Sequence, residues 1–218
     1  MFHNRRALLA VAVVSLSLTA GCAGSGSAGP SRQPAAASTS STTAAPFPVT
    51  VRSTNGSVTI AAEPAAIVSL SPTATEMLYA IGAGAQVKAV DKDSDYPRGV
   101  PRTALNSLNL NVEAVARYHP DLVVASDLTR AQSAQFHALG IIVLTEPAAA
   151  NLGQVYQQLV QLGKVTGHPG GANAEVTAMK TRIARIVKAT PVSHATYYYE
   201  LDQTYYSETS ATFIGKVL

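Results

Sequence analysis

Short apolar runs that alternate with amphipathic segments constrain the fold of this 218-residue chain more than any other feature. Apolar and β-branched residues fit a pleated, buried surface, whereas apolar residues three and four positions apart mark one face of a helix. The predicted strands are 65–70, 86–90, 121–125 and 141–145, and the predicted helices between them are 72–81, 111–118 and 130–139. Because strands that alternate with helices pair in parallel, and runs such as LVVA and IIVL are almost wholly apolar, we predict an α/β fold whose sheet is covered on both faces.

The first strand of the predicted sheet ends in Ser71-Pro72-Thr73, which has the character of a helix start. Ser71 suits the N-cap and Pro72 the first helical position, while Thr73 with Glu76 offers an alternative capping box. Open α/β sheets bind ligands at the carboxyl edge of their strands, where helix N-termini also present backbone N–H groups. The turn is therefore either an ordinary connection or part of a ligand site.

The first 21 residues have the pattern of a secretory signal. Two arginines precede an apolar run, 7–18, that is shorter than the roughly 20 residues of a membrane-spanning helix. Residues 19–22, Thr-Ala-Gly-Cys, resemble the lipobox of bacterial lipoproteins. Cys22 is the only cysteine, so the chain forms no internal disulfide, and we expect it to carry a lipid anchor rather than to be a reactive thiol.

The segment 22–48 is rich in Ser, Thr, Ala, Gly and Pro, and we predict a disordered tether. Removal of residues 1–21 takes away two of 16 basic residues and none of the 13 acidic ones, which leaves 14 against 13. A chain so close to neutral lacks the electrostatic footprint of a nucleic-acid-binding protein. The folded part begins near Phe47, and the alternating residues around Asn55-Gly56 predict a hairpin.

The pattern changes after residue 150. Two helices are predicted at 151–166 and 172–189, with a break at 167–171, and no strand signal falls within about 45 residues. The tyrosine-rich run 195–201 then predicts a new strand with at least one face in the core, and 210–218 begins another helical segment. Because one strand and part of a helix do not bury their own faces, we expect the chain to be truncated.

Motifs of catalysis are absent from the sequence. There is no G-x-S-x-G, H-E-x-x-H or Walker A pattern, and none of the five histidines pairs at ligand spacing. We therefore predict no catalytic residue, no protein-bound metal and no resident cofactor. Tyr205 and Tyr206 follow the predicted strand, and their phenolic oxygens suit ferric iron or haem, although amphipathic packing is the alternative.

Several motifs between residues 63 and 218 resemble the iron-complex and cobalamin class of periplasmic binding proteins. They are S-P-T-x-T-E-x-L-x-x-I-G at 71–82, D-Y-P at 95–97, N-x-E-x-V at 111–115, P-D-L-V at 120–123 and TFIG at 212–215. The resemblance implies two α/β lobes that hold a ligand between them and are joined by one long helix, here 172–189. The implied parts are an N-terminal lobe at 49–150, a helical segment at 151–192 and the start of an incomplete second lobe at 193–218.

The resemblance also implies the positions of functional residues. Glu113, in the first turn of a helix, matches the family's glutamate that pairs with arginines of the membrane permease, although the helix dipole alone favours a carboxylate there. The implied ligand contacts come from the loops after the strands. They are Ser71, Pro72, Thr73, Asp93, Tyr96, Asn106, Leu108, Ser126, Asp127, Tyr205 and Tyr206, with Ser107 beside them.

Together these features predict an exported, lipid-anchored protein that captures a ferric siderophore or haem and delivers it to an ABC importer. The alternatives are cobalamin as the ligand, or a relay of haem between envelope proteins without an importer. Relatives that bind cobalamin have aromatic residues where this chain has Asp93 and Ser107, which favours the iron complex. With one wall of the cleft ending at Leu218, we expect the 218-residue chain itself to bind ligand weakly and to expose an unpaired strand edge.

Overall fold

The computed structural model describes residues 47–54, 56–191, 196, 198–200 and 202–217. The predicted signal peptide, most of the predicted tether, Cys22 and Asn55 lie outside the described residues. The first described element is a hairpin of strands β1 (Val49–Ser53) and β2 (Gly56–Ile60), which pair antiparallel with Val51 opposite Val58. The hairpin predicted around Asn55-Gly56 is confirmed by this pairing.

A four-stranded parallel sheet follows the hairpin. Its strands are β3 (Ile67–Leu70), β4 (Val87–Val90), β5 (Leu122–Ala125) and β6 (Val143–Thr145), in the order β4-β3-β5-β6. Every strand ends where the sequence predicts but begins one or two residues later. At β3 the reason is a side chain, because Asp121 accepts hydrogen bonds from the backbone N–H groups of Ala65 and Ala66 and holds them outside the ladder.

The described helices are α1 (Pro72–Ala80), α2 (Val112–Ala116), α3 (Arg130–Ala138), α4 (Leu152–Val165), α5 (Pro169–Ala189) and α6 (Phe213–Val217). All six predicted helical segments are confirmed. Several are shorter than predicted because the terminal residues are caps, as at Asn111 and Asn151, whose side chains accept hydrogen bonds from the backbone N–H groups of Ala114 and Gln154. A short 3₁₀ turn, Ala83–Gln86, leads into β4.

Both faces of the parallel sheet are covered, as the apolar runs predict. In β5, Leu122 and Val124 join a core that includes residues of α1, α4, α5 and the hairpin, whereas Val123 and Ala125 join a second core with α2 and α3. Successive side chains of a strand point to opposite faces, so a run of four apolar residues fills two cores at once. The α/β architecture is therefore confirmed.

The break between α4 and α5 is shorter than the predicted 167–171, because α5 begins at Pro169. The backbone leaves the helical conformation at Gly167, whose φ is 78°. Helix α5 then begins at Pro169, three residues before the predicted start. Gly171 lies inside α5. A glycine is required at this position because a Cβ would come 2.0 Å from the carbonyl oxygen of Ile81. Gly163 in α4 likewise meets Ala172 so closely that a Cβ would lie 2.4 Å from the Ala172 Cβ. These glycines permit close packing and do not end a helix.

The strand predicted at 195–201 is wrong as far as its described residues show. Glu200 makes a single antiparallel bridge with Ser207, and the described residues form no longer ladder there. Tyr198 and Tyr199 are both exposed, so neither fills the predicted core. The sequence pattern favours a strand, but a strand requires a neighbouring strand with which to form hydrogen bonds. The chain instead turns at Asp202, which accepts hydrogen bonds from the backbone N–H and the hydroxyl of Thr204.

Candidate functional site

The βα turns after β3 and β5 meet at the carboxyl edge of the sheet. Ser71 is the N-cap of α1 and accepts a hydrogen bond from the backbone N–H of Ala74 at 3.3 Å, which decides between the two predicted caps in its favour. The hydroxyl of Ser126 donates to the Ser71 hydroxyl at 2.6 Å. The chain runs from β3 to β4 on one side and from β5 to β6 on the other, so these serines lie at the topological switch point, where open α/β sheets bind ligands.

A cavity of about 270 Å³ opens beside this pair of serines. Its polar wall comes from the ends of three strands and from α4, and the rest of the wall is largely apolar. The residues that line it are Ser71, Thr73, Ala74, Met77, Ser126, Glu146, Pro147, Ala148, Ala149, Val155, Gln158, Leu162 and Phe213. An apolar cavity with a few convergent polar groups is the usual form of a small-molecule site.

Among the described residues, Glu146 is the one ionisable side chain that lines this cavity. It follows β6 directly and is half-buried, and the amide of Gln161 donates to its carboxyl group at 2.8 Å. Burial raises the pKa of Glu146 to about 7, against the smaller lowering effects of hydrogen bonds from Gln161 and Gln158. Glu146 was not predicted from the sequence, although it is a polar residue immediately after a predicted parallel strand, as Ser71 is.

A second polar cluster, centred on Asp91, lies beyond the end of β4. Asp91 is fully buried, and its carboxylate accepts hydrogen bonds from the backbone and hydroxyl of Ser94 and, at 2.9 Å, from the hydroxyl of Ser107. Thr75 contacts both Ser94 and Ser69 through its hydroxyl, at 3.0 and 2.9 Å. The cluster thus ties α1 and β3 to the loops that begin at Lys92 and Asn106.

In this region the family resemblance implies Asp93 as a ligand contact, and Asp91 was not predicted. Asp93 is exposed and forms an ion pair with Lys92 at 2.8 Å. Tyr96 and Leu108 project into solvent with exposed fractions of 64% and 90%. Asn106 accepts hydrogen bonds from the backbone N–H groups of Leu108 and Asn109, so its carbonyl oxygen stabilises the loop. As ligand contacts these four residues stay predictions, and they do not line the cavity at the switch point.

The other predicted ligand residues divide between the cavity and the surface. Thr73 lines the cavity, whereas Pro72 and Asp127 are exposed beside it and are not part of its wall. Tyr205 and Tyr206 are also exposed, at 78% and 69%. The structure therefore brings together Ser71, Thr73 and Ser126 and leaves the remaining predicted contacts outside this cavity.

Glu113 lies on a different surface. It is exposed in the first turn of α2, whose N-cap is Asn111. With Leu110, Gln135 and Leu139 it lines a groove of about 660 Å³ between the start of α2 and the end of α3. The carboxylate of Glu113 thus shares a groove with the exposed side chain of Leu139, and contact with a permease stays a prediction.

Metal ligands and membrane spans were sought in the described part of the chain. Among these residues no three His, Cys, Asp or Glu side chains come together as a metal site. No described helix is both long enough and apolar enough to cross a membrane.

Comparison with known proteins identifies relatives by sequence. An ABC transporter substrate-binding lipoprotein of Bacillus subtilis, itself uncharacterized, is 37% identical over 146 residues, which are 64% of this chain and 46% of that protein. A protein of Halobacterium salinarum named cobalamin-binding protein is 30% identical over 227 aligned positions, which cover 100% of this chain and 60% of that protein. The chain thus spans about half of the length of these relatives.

Solved structures share the fold. The match to a possible iron-binding, periplasmic solute-binding protein of Staphylococcus epidermidis has a TM-score of 0.59 at 24% identity and covers 71% of this chain and 64% of that one. A periplasmic heme binding protein of Pseudomonas aeruginosa matches with a TM-score of 0.54 at 24% identity, over 57% and 46% of the two chains. The family model described as periplasmic binding protein matches residues 67–218. This is a family of binding proteins and not of enzymes, and the chain belongs to the periplasmic binding protein family.

Proposed function

We propose that this protein captures a small solute outside the cytoplasm and delivers it to an ABC importer. The observation that carries the proposal is the cavity at the switch point of the parallel sheet, where Ser71, Ser126 and Glu146 converge on an otherwise largely apolar wall. Membership of the periplasmic binding protein family supports this role, as does a B. subtilis relative named as an ABC transporter substrate-binding lipoprotein.

We infer that the solute is an iron complex, either a ferric siderophore or haem. The described residues hold no cluster of His, Cys, Asp or Glu that suits a bare metal ion, so any iron is more readily bound inside an organic complex. Exposed phenols at Tyr205 and Tyr206 support the same class, because phenolic oxygen is a hard donor and an aromatic ring stacks on a macrocycle.

Cobalamin is the second candidate ligand. It is supported by the H. salinarum relative, which is named a cobalamin-binding protein and aligns along the whole chain. Against it stand Asp93, which pairs with Lys92, and Ser107, which donates to Asp91, where the resemblance leads us to expect aromatic residues for cobalamin.

Titration of the mature full-length protein separates these ligands. The sequence contains no tryptophan and nine tyrosines, so intrinsic tyrosine fluorescence reports on the protein without a label. We expect saturable quenching by a ferric siderophore or haem with a dissociation constant of about 1 μM or lower, and binding about tenfold weaker in Ser126→Leu, which fills the cavity. Ser57→Leu, on the exposed edge of the hairpin, is the control. Saturation by cobalamin alone would establish the second candidate, and saturation by none of the three would contradict both.

The attachment to the membrane and to the importer completes the proposal. Cys22 in the lipobox-like sequence would carry the lipid anchor, and Glu113 in its groove beside Leu139 would contact basic residues of the permease. An envelope relay protein without an importer is the alternative role for the same fold.

Reversal of charge at position 113 tests the contact with the permease. Glu113→Arg should lower recovery of the permease in a pull-down about tenfold, because repulsion between like charges replaces an ion pair. Glu76→Arg, exposed on α1, should leave recovery unchanged. Equal recovery with both variants would favour the relay role, provided that both still bind the same solute.

A further inference from the structure

The cavity beside Ser71 and Ser126 has an acidic wall, and within the described part of the chain no basic side chain lines it. Glu146 lines it, and no Lys, Arg or His is among the lining residues. The amide of Gln161 donates to the Glu146 carboxyl group at 2.8 Å, and the amide of Gln158 donates to the adjoining carbonyl oxygen of Pro147 at 2.6 Å. Both amides are neutral, so neither cancels the charge of the carboxylate.

The basic residues on the described elements packed around Glu146 are Lys216, Arg52 and Lys164. On α6, Lys216 donates to the carbonyl oxygen of Ala150 at 3.2 Å. Arg52 on β1 and Lys164 on α4 line a different groove. Within the described part of the chain, the ion pair closer than 4.0 Å is Lys92 with Asp93, and it does not involve Glu146.

Burial of a carboxylate without a counter-ion is costly, because the charged form loses its hydration. Burial raises the pKa of Glu146 to about 7, so the folded protein favours the neutral acid. A cation that enters the cavity offsets the cost by pairing with the carboxylate in surroundings that water reaches poorly. The free site is therefore poised to gain from a positively charged guest.

We propose that this cavity receives a primary ammonium group on an apolar stem, carried by the transported solute, with Glu146 as its counter-ion. The inference deepens the proposed function and rests on it. Three N–H donors of an ammonium group match the Glu146 carboxylate and the neighbouring hydroxyl of Ser126, and the stem packs against the apolar wall. Met77, Val155, Leu162 and Phe213 form that wall.

The composition of the wall separates this guest from other cations. A quaternary ammonium group has no N–H donor and is recognised by a cage of several aromatic rings. Of the residues that the structure describes, Phe213 is the one aromatic residue that lines this cavity. A guanidinium group binds best as a planar fork with two parallel hydrogen bonds to a carboxylate, and the carboxyl group here already accepts from Gln161.

The pairing makes binding depend on pH in one direction. Below pH about 7 the Glu146 carboxyl group holds its proton, and above it the group is charged. An alkylammonium group stays protonated throughout this range, since the ordinary pKa of such amines is about 10. Affinity for the ammonium guest therefore rises from pH 6 to pH 8, whereas affinity for a neutral guest of the same shape does not.

Benzylamine and benzyl alcohol are a matched pair of probes for the mature full-length protein, followed by NMR titration. At pH 8 we expect benzylamine to bind about tenfold more tightly than benzyl alcohol, and this ratio to approach one at pH 6. In Glu146→Gln the ratio should be close to one at both pH values. Glu63→Gln is the control, because Glu63 is exposed and pairs with Gln86 away from the cavity, and it should keep the ratio of the unaltered protein.

The outcomes distinguish failure of this inference from failure of the proposed function. Equal affinity for the two probes at pH 8, no binding of benzylamine, or an unchanged ratio in Glu146→Gln would each overturn the ammonium site. If ferric siderophores, haem or cobalamin still quench the tyrosines, the transport role stands without it. Glutamine keeps the shape of the neutral acid, so unchanged far-UV circular dichroism of Glu146→Gln shows that a lost ratio reflects the lost charge.

Discussion

Alanine at position 171 is expected to lower the free energy of unfolding by about 3 kcal/mol, the upper part of the usual range for overpacking a close contact. The added Cβ would lie 2.0 Å from the carbonyl oxygen of Ile81, which is backbone and does not swing aside as a flexible side chain does. Relief requires α5 to move away from the end of α1, and the contacts of Ala172 and Val176 with the core move with it. Urea denaturation followed by circular dichroism measures the change.

The neighbouring glycine is a control for this prediction. Gly170 is exposed one position earlier in α5, where alanine removes the entropic disadvantage of glycine in a helix. Gly170→Ala should therefore be neutral or stabilise by up to about 1 kcal/mol. Equal stabilisation by alanine at positions 170 and 171 would show that α5 does not pack against Ile81.

Asn in place of Asp91 is the second substitution with a large expected effect, a loss of about 2–3 kcal/mol in the free energy of unfolding. The asparagine side chain has one acceptor oxygen where the Asp91 carboxylate has two. Its NH₂ group would face the hydroxyl of Ser94 or Ser107, and two donors would then meet without an acceptor between them. The Ser94 and Ser107 hydrogen bonds to Asp91 are buried or half-buried, so water does not replace a lost partner. Thermal denaturation and urea denaturation both report this loss.

Asp93→Asn is the matched control for Asp91→Asn. Asp93 lies two residues away, is exposed and pairs with Lys92, and an exposed ion pair contributes about 0–1 kcal/mol. We expect less than about 0.5 kcal/mol from this change. A larger effect at position 93 than at position 91 would mean that the Asp91 cluster does not hold the loops after β4.

Local patterns predicted the elements well because their causes are local. The hairpin forms around the predicted position, with Ser53 opposite Gly56, and each strand of the parallel sheet ends at the predicted residue. Ser71 was also predicted as a cap, since capping involves residues three positions apart. At the described residues of 195–201 the strand prediction is wrong for the complementary reason, because β-propensity becomes a strand only where a neighbouring ladder exists.

The candidate site was predicted in part. The family resemblance implied Ser71, Thr73 and Ser126 as ligand contacts, and these three line one cavity because parallel strands bring their carboxyl ends to one edge. The resemblance also implied Asp93, whereas Asp91, two residues earlier, is the residue with buried partners. As ligand contacts the four implied residues stay predictions. Cys22 as a lipid anchor and Glu113 as a docking residue stay predictions.

By itself the sequence determined the α/β class, the positions of strands and helices, and the family resemblance that the family match confirms, because each follows from neighbours along the chain. The tertiary structure alone decided which of these elements lie side by side. The order β4-β3-β5-β6 places Ser71 against Ser126, 55 residues apart, and folds Glu146 over the same cavity as α4. Burial and strand order both arise from contacts between residues distant in sequence. Such burial raises the pKa of Glu146, and such contacts bring Asp91 its hydrogen-bond partners.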